Sequence, residues 1–127
     1  MNAKIGAVLY VLWGLLHLQA ARMVYALGDT LEPGAVQARV FQDAFSLVFF
    51  AIFAIVIAIA FNWKNSRQGY WLNLAVISAA DIGFIWYVLI PGYAPLVPGG
   101  LGPLLWILAV IFSTLGIRKT SSNEILG

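Results

Sequence analysis

In 127 residues this chain carries 62% hydrophobic and only 9% charged side chains, at a mean hydropathy of +0.92, where a soluble domain holds about 25% charged residues. A fold this small has too little interior to hide so much apolar surface from water, which excludes a soluble globular domain and leaves lipid as the solvent. The net charge of +2 comes from seven Lys and Arg scattered at segment ends, with no run that would hold a nucleic acid, and the lack of cysteine removes disulfides, iron–sulfur ligation, thiolate zinc sites and nucleophilic thiols together.

Four apolar stretches, each near the roughly 20 residues that cross a hydrocarbon core about 30 Å thick, predict an all-α integral membrane protein built as a four-helix transmembrane bundle. The expected single domain covers residues 1–119, with helices over 4–27, 33–61, 70–90 and 103–118, and a polar, frayed tail at 120–127.

The first segment opens with a short positive start and an apolar core, as a secretory signal does, but its apolar run continues well past the roughly 7–15 residues of a signal core. Helical periodicity gathers Gly6, Tyr10, Gly14, His17, Ala21 and Val24 on one face, where the small residues allow a neighbouring backbone to approach. His17 then points into the bundle, Gln19 falls on the opposite side, and Arg22 lies close enough to the end to snorkel outward.

Asp29-Thr30-Leu31-Glu32-Pro33 reads as a new helix start, with Asp or Thr as cap and Pro where its missing N–H costs nothing. Arg39 and Asp43, four apart, are placed to pair at the interface. Phe45 to Phe61 is almost continuously apolar and forms the most lipid-like wall. After the polar loop from Asn62 to Gly69, the third helix carries Tyr70 and Trp71 at its entrance and Trp86 and Tyr87 near its exit, an aromatic pair at each interface. Pro91 to Gly102 is uncharged and rich in Pro and Gly, a loop expected to lie over the mouth of the bundle. Pro103 opens the fourth helix, which ends in Arg118-Lys119.

Lys4, Lys64, Arg67, Arg118 and Lys119 fall on one side, while Arg22 and Arg39 lie towards the other with Asp29, Glu32 and Asp43, so both termini are expected in the cytoplasm and the protein in the cell membrane as a multi-pass chain. There is no internal repeat, lipidation motif or phosphate-binding glycine loop.

Asp81 stands in the middle of the third apolar run, at a cost of about 2.5–3.5 kcal/mol on insertion scales, and an ionisable group at such depth is a functional candidate by default. On a rise of about 1.5 Å per residue, His17 lies roughly 18 Å in from Ile5, Asp81 roughly 16 Å in from Tyr70, and Ser113 and Thr114 about 15–17 Å in from Pro103 on the other side. These counts place all four near one level. The expected site is therefore an acid/base pair of Asp81 and His17, with Tyr10, Trp13, Phe84, Trp106, Ser113, Thr114 and the outlying Asp43 as substrate contacts. In a dry pocket the proton affinities of a carboxylate and an imidazole approach each other, which favours transfer between them.

Two readings compete. In the first the chain is a small membrane-embedded enzyme that isomerises, cyclises or hydrates a lipophilic small molecule. In the second the polar groups only join helices, at about 0.6 kcal/mol per hydrogen bond, and the bundle binds a lipid, carries a solute or serves as an accessory subunit. Ser78, Ser113 and Thr114 are explained well by bonds to their own helices, and the aromatics by packing and interfacial belts. One histidine without cysteine makes neither a bis-His haem site within the chain nor a recognisable metal site, so no cofactor or metal is expected. The expected partners are membrane lipid and a lipophilic ligand, with no nucleic acid and with a homo-oligomer open.

Overall fold

The computed structural model describes residues 1–127 as an all-helical chain. Four long helices, α1 (Asn2–Asp29), α2 (Ala35–Ala60), α3 (Arg67–Phe84) and α5 (Leu101–Leu126), are joined by a 3-10 turn at Asn62–Lys64, a π-helical extension of α3 at Ile85–Leu89, and the one-turn helix α4 (Leu96–Gly99). All four long elements are long and apolar enough to cross a membrane.

α1 runs along α2 and α5, and α3 leans on the same two, so α1 and α3 face each other across the centre. The approach of α1 to its neighbours depends on residues without bulk. A Cβ at Gly14 would meet the Ala51 carbonyl oxygen at 2.8 Å, and one at Gly116 would meet the Ala3 Cβ and nitrogen at 3.0 Å. Gly6 lies against Ser113 in the same way, and Gly28 lies under the Phe41 ring. Close backbones multiply weak dispersion contacts, and that attraction holds helices together in a medium as apolar as their own side chains.

Bulky side chains fill the diagonal instead. The largest fully buried ones are Tyr10 and Trp13 from α1 and Asn73, Ile77 and Asp81 from α3, while α2 and α5 contribute Ala51, Ala54, Ala58 and Ala109 to the same interior. The buried edge of α3 recurs every four residues through Gly69, Asn73, Ile77 and Asp81, which places Asp81 on the innermost row of its helix. Asn73 donates its amide to the Ala54 carbonyl (3.3 Å) and to Asn62 Oδ1 (2.9 Å), fastening α3 to the end of α2.

Element ends depart from the spacing-based bounds for local reasons. α1 continues through Asp29, and Thr30 closes it by donating its hydroxyl to the Leu27 carbonyl at 2.7 Å instead of capping the next helix. Gln37 donates to the carbonyls of Gly28 and Leu31, both at 3.1 Å, which ties the loop to α1 and starts α2 at Ala35. Ser66 caps α3, accepting from the Gly69 amide, so α3 starts three residues ahead of Tyr70. Residues 120–126 continue α5 where a frayed tail was expected. Asn65, held at a left-handed φ of 56°, donates to the Gly116 carbonyl (3.0 Å) and Thr120 Oγ1 (2.7 Å), and Ser121 bonds back to the Ile117 carbonyl. The Arg39–Asp43 pair does not form. Arg39 donates to Gln42 Oε1 at 2.8 Å, since a neutral acceptor one residue nearer competes well with a carboxylate in an exposed setting.

Candidate functional site

Trp13 and His17 are one turn apart on α1 and stack their rings at a centroid distance of 3.6 Å and an angle of 20°. The stack faces Asp81. Trp13 donates its indole N–H to Asp81 Oδ2 at 2.8 Å, and His17 Nδ1 lies 2.8 Å from the Trp13 carbonyl. A backbone carbonyl only accepts, so Nδ1 carries the hydrogen and Nε2 is the nitrogen that faces Asp81 Oδ1, 3.7 Å away. Because Oδ2 is already an acceptor, a proton on this carboxyl group belongs on Oδ1.

The pair thus has one proton position to share, between Oδ1 and Nε2. Acid beside imidazole and carboxylate beside imidazolium are both neutral overall, which keeps either form tolerable away from water. At 3.7 Å the two atoms are not yet hydrogen-bonded, and a shift of less than about 1 Å would bring them into range. Asp81 is completely buried and its Oδ1 has no hydrogen-bond partner, while the His17 side chain keeps 12% exposure. The arrangement can therefore give or take a proton at one fixed point, reached from the His17 side.

Gly102, in the first turn of α5, closes over this point with backbone alone. A Cβ there would lie 2.9 Å from His17 Cε1 and 3.9 Å from Asp81 Oδ1. Spacing alone assigns Gly102 to a loop; its only sequence signal is the glycine-rich run from Gly99 ahead of Pro103. One turn below, Trp106 donates its indole N–H to Ser78 Oγ at 2.9 Å and joins α5 to α3 beneath the pair. Phe84 is half-buried one turn above Asp81 on α3.

Ser113 and Thr114 do not join this level. Ser113 packs against Gly6, and Thr114 Oγ1 lies 3.1 Å from the Tyr70 hydroxyl, eleven residues and about 16 Å of helix from Asp81. The depth count misplaces them because α5 begins beside the His17–Asp81 pair and not at the far end of the bundle. Together with Asn62, Asn65, Ser66 and Tyr70, Ser113 borders a narrow crevice at the end that carries both termini. Tyr10 is fully buried with no partner for its hydroxyl. Asp43 is exposed on α2, just past Phe41, which packs on Gly28 far above His17, so it stands apart from the pair.

No family model, curated protein or solved structure matches this chain. The chemistry of the Trp13–His17–Asp81 group is what remains to speak for its role.

Proposed function

We propose that the chain is a multi-pass membrane enzyme, with both termini cytoplasmic, in which Asp81 and His17 move protons on and off a lipophilic small molecule. Support for the membrane setting comes from the outer surface. Phe45, Phe49, Ile52, Val56 and Ile59 on α2 are all exposed, and only 23 of 127 residues are buried, a distribution that water would penalise and acyl chains would not. The cations concentrated beside the termini favour the cytoplasmic side for that end.

One observation carries the activity: the fully buried Asp81 is anchored through Oδ2 and turns its Oδ1 towards His17 Nε2, 3.7 Å away. An acid and a base so placed have a proton to exchange at that point. In an isomerisation, Oδ1–H would deliver its proton to one carbon of the substrate while Nε2 removes a proton from another. The resulting carboxylate and imidazolium then reset by passing a proton from Nε2 back to Oδ1, after exchange with water at the partly exposed His17, and no other reactant is consumed.

The test uses membranes bearing the wild type or Asp81→Asn, incubated in deuterated water, with the extracted lipophiles analysed by mass spectrometry. The amide keeps an acceptor for Trp13, so the variant should remain extractable and monodisperse. Deuterium entering a lipophile only with the wild type is the expected result; equal labelling with both rules the proposal out. The non-enzymatic reading draws on the tight cover at Gly102, and it predicts a retained lipid with no label in either case.

A further inference from the structure

Away from the Asp81 site, the outer face of α1 and the 3-10 turn border a shallow, open apolar groove. Met1, Ile5, Val8 and Leu9 form one wall, Trp63 the other, and Lys4 stands at the rim with its ammonium 5.2 Å from the centre of the Trp63 ring. The cation–π contact fixes where the charge sits but occupies only one direction around the nitrogen, leaving its donors free to outside ligands. Lys4 has no carboxylate partner, the chain's one close acid–base contact being His17–Asp81. Lys64 follows Trp63 in the same turn, and Arg67, Arg118 and Lys119 are at the same end, where Glu124 is the lone acid.

We infer that this groove binds one anionic phospholipid, with an acyl chain along Ile5, Val8 and Leu9 and the phosphate at Lys4 above Trp63. The inference rests on the membrane setting proposed above, not on the proton chemistry. Two features argue for a phospholipid over other occupants. The groove is apolar along its length and basic only at its rim, which copies the order of tail and headgroup. The charge at this end is also unneutralised, so a zwitterionic lipid would leave it unmatched where an anionic one would not. Trp63, 46% exposed, is the side chain an interface would hold at headgroup level.

The experiment is native mass spectrometry of detergent-purified full-length chain loaded with equal amounts of phosphatidylglycerol and phosphatidylcholine, for the wild type, Lys4→Gln and Trp63→Ala. The wild type should retain one phosphatidylglycerol in preference, and Lys4→Gln should weaken that preference about fivefold, the factor expected for one lysine at an anionic surface. Trp63→Ala should lose it by opening the wall. Circular dichroism confirms that both variants are folded, since neither residue is buried. Equal retention of the two lipids, an unchanged preference in Lys4→Gln, or competition by free glycerol phosphate as effective as by the lipid would each overturn the inference. An alkaline carbonate wash of the membranes separates the two claims: a chain released by the wash defeats the membrane setting, whereas a chain retained without lipid preference defeats this site alone.

Discussion

Trp13 ties the acid to the imidazole, since its ring stacks on His17 and its N–H holds Asp81. Replacing Trp13 by Phe keeps most of the stack and removes the donor, leaving a second buried oxygen without a partner. A loss of about 1–3 kcal/mol in a reversible detergent-unfolding titration is expected, and little further loss when Asp81→Asn is added. Gly102→Ala tests the cover. Its methyl group would push the imidazole away from Oδ1, so deuterium labelling should fall at least about tenfold while the unfolding midpoint moves little, a split that simple destabilisation would not give. His17 and Asp81 were legible in the sequence because each is a lone ionisable group in an apolar run. The donor role of Trp13 was not legible, since indoles recur on packed faces for their bulk, and neither was the helix-joining role of Asn73, because a single amide in an apolar helix has no periodic signature.

At the level of helices, glycines decide how near α1 comes to its neighbours. Gly14→Leu should drive α1 from α2, because both the Ala51 carbonyl and the Ile55 side chain occupy the space. We expect a loss of about 1–3 kcal/mol or failure to assemble, read from the same titration. Gly83→Ala is the matched control: nothing lies within 4 Å of the added carbon, and the helix should gain roughly 0.5–1 kcal/mol from reduced backbone freedom. The small face of α1 was visible in sequence spacing, and so was the existence of the four long helices, which length and hydropathy dictate. The ends were less visible. Thr30 settles one through a bond back to its own helix, Gln37 and Asn65 settle others through bonds to partners on other elements, and the start of α5 beside His17 depends on how far the chain descends after Pro91, which no local pattern encodes.

For the whole molecule, packing of Ala3 on Gly116 brings both termini to one end, opposite the loop from Thr30 to Gly34. Cysteines introduced singly at Asn2, Thr30 and Asn123 of this cysteine-free chain offer a direct test of orientation in sealed membranes. An impermeant thiol reagent should reach Thr30→Cys from outside and the other two only after the membrane is opened; labelling of all three from outside would defeat the proposed topology.

Under the proposed function, the unequal heights of the helices bear on how a substrate would be chosen. α1 rises about three turns beyond His17, whereas α5 stops level with it, and the segment from Pro91 to Gly100 stands in for the missing turns without a single charge. A guest dissolved among the acyl chains could slip in sideways at that corner and meet the acid without ever being hydrated. Turnover would then follow its mole fraction in the leaflet, so diluting the bilayer with inert lipid would slow the reaction while diluting the buffer would leave it unchanged.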